Sequence, residues 1–141
     1  MLFSVGLIPE NEISKGCGVR LDPVTNGPVV DSDMMTNVPG IFACGNVVHV
    51  NDLVDNVTEE SELAGKSAAK YALGTLKEDG EIAVSAGENV RYVVPQKISP
   101  ENAEGSIKVY FRVKSPQENV FIQALCGEEE IFRRKKQARC V

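Results

Sequence analysis

The chain has 141 residues, the length of one domain or two small ones, and 20 acidic residues against 15 basic ones give it a net charge of -5. With 43% hydrophobic and 25% charged residues, its composition is that of a folded globular protein and excludes disorder over the whole length. The acidic balance argues against nucleic acid as a partner, and no run reaches the ~20 apolar residues of a membrane span.

The N-terminal segment carries no sign of secretion. The letters MLFSVGLIPENE lack both the basic start and the apolar length of a signal peptide. Within them, Leu2–Val5 predicts a short buried strand that is ended by Gly6 and Pro9. We therefore expect a cytoplasmic protein.

The cysteines are scattered and form no Cys-x-x-Cys pair: they are Cys17, Cys44, Cys126 and Cys140. Zinc sites normally use close pairs of ligands, and His49 is the single histidine. Disulfides belong mainly to secreted proteins. We expect reduced, mostly buried thiols and no metal site.

Two short features precede the first helix. Asn26-Gly27 predicts a tight turn, and residues 28–30 after it can form a short strand. Ile41–Cys44 is an unbroken apolar run between Pro39-Gly40 and Gly45. Such a run is typical of a strand that is covered on both faces, as in a parallel sheet.

The clearest helix is predicted from about Thr58 to Leu73, with Thr58 as its N-cap. Glu62 and Lys66 are placed for a favourable i,i+4 pair. Gly65 costs about 1 kcal/mol relative to alanine in a helix, which indicates close approach of another group. That group is either a packed sheet, which the pattern favours, or a cofactor. The small side chains beside it are Ser61, Ala64, Ala68 and Ala72.

A polar, glycine-flanked stretch follows this helix at residues 74–80. Glycine just past a periodic helix is a stop signal. We place a domain boundary here, which gives a first unit of residues 1–76 and a second of residues 77–141.

The second unit is predicted to be all-β. Residues 107–113 alternate apolar and polar, as in a half-buried strand, and residues 120–125 form a second strand that we expect to pair with it in a hairpin. Residues 130–134 and 90–94 supply further strands. Four or five antiparallel strands of this length make a small sandwich or open barrel. The chain as a whole is predicted to be α+β.

The run TNVPGIFACGN at residues 36–46 carries the most information about function. It resembles the C-terminal FAD-binding motif of the pyridine nucleotide-disulfide oxidoreductase superfamily, in which a Thr, a Pro-Gly turn and an apolar strand are followed by Gly-Asp. Residues 6–10 resemble the turn that precedes this motif, and residues 18–31 resemble the linking hairpin. The helix around residues 60–71 resembles the one that follows it. The resemblance covers roughly residues 1–73.

This resemblance implies that the first unit is the C-terminal segment of a Rossmann-like FAD-binding domain. Its flavin contacts would fall on Gly45, on Asn46 and on the start of the next helix at Val57 and Thr58. A strand that stops at glycine lets backbone approach a ligand closely. The amide groups and positive dipole of a helix start would favour an electron-rich flavin edge, and the flavin carries the hydride chemistry.

The sequence departs from the family pattern in three ways. Asn46 replaces the usual Asp, which keeps an acceptor oxygen and loses the charge. The Gly-x-Gly-x-x-Gly loop that cradles the FAD pyrophosphate is absent from the sequence, as is the redox Cys pair. We therefore expect a C-terminal part of a longer protein, with FAD bound in the parent and absent from this piece, which would be inactive alone.

Three polar residues between the motif and the helix are further candidates for a chemical role: His49, Asp52 and Asp55. A polar loop, or helix capping in the case of the two Asp residues, is the favoured explanation, so no catalytic residue is assigned. The basic run Arg133–Lys136 lacks the interleaved aromatics of a nucleic-acid site and is interpreted as a charged edge strand.

Two hypotheses follow. In the first, the chain is the C-terminal part of an FAD-dependent, NAD(P)H-linked oxidoreductase, and its missing partner is the N-terminal dinucleotide-binding region. In the second, it is a scaffold or a dimerisation module without flavin, docking a partner subunit through the β module. Exposed sheet edges favour a homo-oligomer or a partner subunit in either case.

Overall fold

The computed structural model describes residues 8–77, 80–103 and 105–136. Helix α1 spans Glu12–Gly16 and helix α2 spans Val54–Ala72, with short 3-10 helices at Gly45–Val47 and Pro100–Asn102. The strands of the described residues are β1 Ile82–Ala83, β2 Val90–Val94, β3 Lys97–Ile98, β4 Tyr110–Val113, β5 Val120–Cys126 and β6 Glu129–Lys136. This part of the chain is therefore α+β.

The predicted turn at Asn26-Gly27 is confirmed. Asn26 takes a positive φ of 59°, and the Asp22 amide donates to the Gly27 carbonyl at 2.8 Å. The short strand predicted at residues 28–30 is reduced to two isolated antiparallel bridges, Leu21 with Pro28 and Val30 with Thr36.

The buried parallel strand predicted at Ile41–Cys44 is wrong for this structure. The segment is only half-buried and makes one isolated antiparallel bridge, between Phe42 and Met35. The reason is local: the Ala43 amide donates to the Met34 carbonyl at 3.0 Å, so the run folds back on the loop before it.

Helix α2 ends as predicted and begins earlier than predicted. Gly74 has a φ of +67°, and the Thr75 amide donates to the Lys70 carbonyl at 2.9 Å, which is a Schellman stop. The predicted start at Thr58 is wrong because the helix begins at Val54, after an extended Leu53 that has no side-chain cap. Thr58 lies inside the helix, where its hydroxyl donates to the Val54 carbonyl at 3.2 Å.

The strands form three antiparallel pairs: β1 with β3, β2 with β4, and β5 with β6. The strands predicted near residues 90–94, 107–113, 120–125 and 130–134 are all present. The predicted hairpin between residues 107–113 and 120–125 is wrong, because β4 pairs with β2 and β5 pairs with β6. Within the described residues the pairs close into neither a sandwich nor a barrel.

The buried core draws on both sides of the boundary placed at residue 76. Its buried members are Val30, Met34, Val48, Ala64 and Val94. Val94 comes from β2, and the next residue but one, Gln96, exchanges two hydrogen bonds with the Val30 backbone at 3.0 and 3.1 Å. The division into two units stays a prediction. This core fixes the loop after Cys44 against α2.

The thiols of the described residues are free, as predicted. Cys44 is half-buried, whereas Cys17 and Cys126 are exposed, so the expectation of mostly buried thiols is wrong for those two. Cys140 and the strand predicted at Leu2–Val5 lie outside the described residues. Where the chain is described, no helix has both the length and the apolar character to cross a membrane.

Candidate functional site

The segment of residues 36–44, which precedes Gly45, is held by internal hydrogen bonds and packs against α2. The Val38 amide donates to the Thr36 hydroxyl at 3.1 Å, and the Thr36 amide donates to the Ile41 carbonyl at 2.8 Å. Gly40 has a φ of +80°, and a Cβ there would lie 3.0 Å from the Tyr71 ring of α2. Glycine is therefore required at the Pro-Gly turn both by conformation and by packing.

Gly45 redirects the chain from the extended segment into the 3-10 helix. Its φ is +70°, and a Cβ would lie 3.1 Å from Cγ1 of Val57 on α2. The Gly45 amide donates to Oε2 of Glu60 at 2.7 Å. The backbone at this turn is consequently held between two side chains of one helix.

Glu60 is a carboxylate in the interior of α2 that is only 2% exposed. Besides the Gly45 amide, it receives His49 Nε2 on Oε1 at 2.9 Å and Asn51 Nδ2 on the same atom at 3.4 Å. A buried charge is tolerated only when its oxygens are satisfied, and three donors meet that condition. The loop of residues 45–51 is thereby tied to α2.

His49, the titratable residue among these partners of Glu60, is only 4% exposed. Its ring lies between those of Tyr92 and Tyr110, with centroid separations of 5.8 and 5.7 Å. A carboxylate only accepts, so His49 Nε2 carries a proton. Nδ1 is buried and has no hydrogen-bond partner among the described residues.

The rim of the loop is polar and contacts β4. The Asn51 amide donates to Oδ1 of Asn46 at 3.1 Å. Arg112 of β4 donates to Oδ2 of Asp52 at 2.8 Å and, through Nε, to the Tyr92 hydroxyl at 3.1 Å. The hydrogen bond to Asp52, with that to Tyr92, raises the pKa of Arg112 and keeps its guanidinium charged.

A second polar contact joins β4 to the outer face of α2. Lys108 and the Tyr110 hydroxyl both donate to Oε2 of Glu59. The hydrogen bond from Lys108 lowers the pKa of Glu59, while burial raises the pKa of Tyr110. Tyr110 thus touches the solvated Glu59 at one end and the His49 ring along its side.

Two small cavities border the site. One of about 90 Å³ lies between the loop of residues 49–52 and the polar side of β2 and β4. The other, of about 60 Å³, lies beside Glu60 and Val94. Pockets for cofactors have volumes of ~300–1,000 Å³, so neither of these two cavities could enclose one. They contain no cluster of His, Cys, Asp or Glu that could hold a metal ion.

Of the four residues predicted to contact flavin, Gly45, Asn46 and Val57 lie together in this structure, whereas the Thr58 hydroxyl donates to the Val54 carbonyl within α2. Gly45 and Asn46 start the 3-10 helix, and Val57 packs against Gly45. Asn46 is exposed. Because α2 begins at Val54, Val57 and Thr58 are its fourth and fifth residues, and the helix start that could offer amide groups is instead at Val54 and Asp55.

The other sequence candidates separate in space. His49 is buried on Glu60, Asp52 pairs with Arg112, and Asp55 lies in the first turn of α2. The basic run Arg133–Lys136 lies on β6, far along the chain in an exposed strand pair. It pairs with β5 rather than with any residue of the site.

The sequence interpretation missed the two residues that organise the site, Glu60 and Arg112. By its position in the sequence, Glu60 is an acid near the predicted helix start, where a negative charge favours the helix dipole. Glu60 shares one face with Ala64 and Ser67, at spacings of four and seven residues, and those three are the buried residues of α2. The alternation of residues 107–113 puts Arg112 on the polar face of its strand, and no local signal pairs it with Asp52.

Comparison with known proteins gave one match. Residues 1–69 match the family model described as pyridine nucleotide-disulphide oxidoreductase. The matched segment contains the Thr36–Asn46 motif and most of α2. Neither curated proteins nor solved structures gave a match.

Proposed function

Residues 1–69 belong to the pyridine nucleotide-disulphide oxidoreductase family, and from this we propose that the chain supplies part of the flavin site of an FAD-dependent, NAD(P)H-linked oxidoreductase. In this proposal residues 1–76 are the C-terminal segment of a Rossmann-like FAD-binding domain. Residues 77–141 are a small antiparallel β module attached to it. The protein is cytoplasmic in this proposal.

The observation that carries the proposal is the succession of Gly45, Asn46 and the start of α2. Gly45 is buried against α2, and its turn leaves no room for a side chain because a Cβ would lie 3.1 Å from Val57. Asn46 follows it with an exposed amide side chain. The uncapped first turn of α2, at Val54 and Asp55, lies a few residues further on.

These residues fit one edge of a flavin. Asn46 would bind a hydroxyl of the ribityl chain, and the free amides of Val54 and Asp55 would face the electron-rich side of the ring system. Leu53 and Val54 are 62% and 79% exposed, which supplies apolar surface for a ring to cover. When bound, FAD supplies hydride transfer.

The remaining parts of the cofactor site belong to another region in this proposal. The sequence has no Gly-x-Gly-x-x-Gly loop for the pyrophosphate. The cavities of about 90 and 60 Å³ are too small for FAD. A dinucleotide-binding region packed against Asn46 and the start of α2 would complete the cofactor site. The piece alone is therefore expected to hold no flavin and to be inactive.

Visible absorption tests the proposal. The full-length protein that contains this chain is purified beside residues 1–141, and both are incubated with FAD and desalted. Flavin bands retained by the full-length protein and lost from the shorter one support the proposal. A full-length protein that remains colourless after FAD incubation overturns it.

A second candidate, a subunit-interaction module without flavin, is favoured by the surface of β5 and β6. Apolar side chains on this strand pair are about half exposed or more: Phe121, Leu125, Ile131 and Phe132. An isolated two-stranded pair is marginal in water, so a partner would stabilise it. Light scattering on a colourless protein that is nevertheless a dimer would favour this candidate over the flavoprotein.

A further inference from the structure

The carboxylate of Glu60 ties together the two ends of the loop that precedes α2. It accepts from the Gly45 amide at 2.7 Å at the start of the loop and from Asn51 Nδ2 at 3.4 Å near its end. His49 Nε2 fixes the carboxylate from a third direction at 2.9 Å. With 2% of its surface exposed, Glu60 has little freedom to leave this arrangement.

Asn51 transmits this constraint to Asn46. Its backbone amide donates to Oδ1 of Asn46 at 3.1 Å, while its side chain is held by Glu60 and by the His49 carbonyl, the latter at 3.5 Å. A backbone amide can only donate, so the atom of Asn46 that faces it must be the oxygen. The Nδ2 group of the exposed Asn46 side chain is therefore directed away from the loop.

We propose that Glu60 is a positioning residue that acts through Asn51 to present Asn46 as a hydrogen-bond donor. The group that Asn46 meets is then an oxygen acceptor, such as a hydroxyl or carbonyl oxygen of the ligand. An aspartate at this position would offer only acceptors, so the Asn reverses the polarity of the contact. The identity of that ligand as FAD rests on the function proposed above, whereas the orientation of Asn46 does not.

NMR scalar couplings across hydrogen bonds measure the contacts of Asn46, Asn51 and Glu60 directly in residues 1–141. The wild type is expected to show a coupling from the Asn51 amide nitrogen to Cγ of Asn46, and another from the Gly45 amide nitrogen to Cδ of Glu60. Glu60→Ala should abolish both. Glu60→Gln keeps an oxygen for Gly45 and should retain that coupling, whereas its amide nitrogen replaces the oxygen that accepts from Asn51 Nδ2, so the coupling to Asn46 should weaken.

Asn51→Ala tests the transmission step if Glu60→Ala does not fold. It keeps the backbone donor and the Gly45–Glu60 coupling, and it should lose or weaken the coupling to Asn46. Glu62→Ala is the matched control, because Glu62 is an exposed acid on the same helix, and both couplings should persist. An Asn51–Asn46 coupling that is unchanged in Asn51→Ala, or in folded Glu60→Ala, overturns the proposal.

FAD titration of the full-length protein adds the ligand side. Asn51→Ala and Asn46→Ala should each weaken FAD binding by about two- to tenfold, the effect of one hydrogen bond, and the double variant should be no weaker than Asn46→Ala. Additive losses would overturn the link between the two residues. A wild type that binds no FAD would refute the flavin assignment and leave the couplings to decide the positioning role.

Discussion

His49 contributes to stability through a single hydrogen bond to a buried carboxylate. Both partners are nearly inaccessible, at 5% and 2% side-chain exposure, and their separation is 2.9 Å. His49→Ala removes one of the three donors to Glu60 and leaves a cavity between two tyrosine rings. We expect the free energy of unfolding to fall by about 2–4 kcal/mol, measured by urea denaturation.

Two variants calibrate that measurement. His49→Gln keeps a donor for Glu60 and should recover part of the loss. Lys66→Ala removes an exposed ion pair with Glu62 at 3.5 Å, and it should change the unfolding free energy by less than about 0.5 kcal/mol. A His49→Ala loss no larger than that of Lys66→Ala would show that the buried pair does not stabilise the fold.

Asp31 is the residue whose ionisation opposes folding. Burial raises the pKa of its carboxyl above the usual 3.8, against the effect of hydrogen bonds from the Met35 and Asp33 amides. The folded form then holds the proton more tightly than the unfolded chain. Asp31 therefore costs stability at neutral pH, and this cost disappears as the pH falls through the folded pKa towards 3.8.

Asp31→Asn keeps the oxygen that accepts from Asp33 and Met35, both at 2.9 Å, and removes the charge. We expect the variant to unfold at a higher urea concentration than the wild type near neutral pH. The difference between the two should shrink as the pH falls through the raised pKa of the folded carboxyl towards 3.8, because the wild-type Asp31 then takes up its proton. A constant difference across that pH range would assign the change to packing instead of titration.

At the scale of elements, Gly65 shows that α2 has an open face. The sequence predicts close approach at this position, yet a Cβ at Gly65 would meet no atom within 4 Å in the described residues. Gly65→Ala should therefore raise the unfolding free energy of the chain by about 0.5–1 kcal/mol, seen as a higher melting temperature.

Gly40→Ala is the contrasting control. Its φ is +80° and a Cβ would lie 3.0 Å from Tyr71, so this variant should be destabilised. If Gly65→Ala is destabilised as well, a packed group covers this face of α2 in solution. A cofactor or a further segment of polypeptide would then be sought there.

The strands of the second half could be predicted because apolar and polar residues alternate locally along the sequence. Their pairing could not be predicted, because a two-residue period determines which face each side chain occupies and does not determine which strand lies next to it. The same limit concealed Arg112, whose partner Asp52 is 60 positions away. The motif at Gly45 could be predicted from adjacent residues. The burial of Glu60 could not, because its partners Gly45, His49 and Asn51 lie in a loop whose fold the helical spacing does not determine.

For the molecule as a whole, the central question is whether the two proposed units unfold together. Val94 of β2 is fully buried against Val30, Met34 and Ala64, all from the other side of residue 76. Val94→Ala should cost about 2 kcal/mol through lost burial and a residual cavity. If the core is shared, the free energy of opening measured by hydrogen exchange should fall by the same amount for the central α2 amides as for the β2 amides. If the units are independent, only β2 and β4 should lose protection while α2 exchanges as in the wild type. We expect the first outcome, because Gln96 also fastens the end of β2 to the Val30 backbone at 3.0 and 3.1 Å.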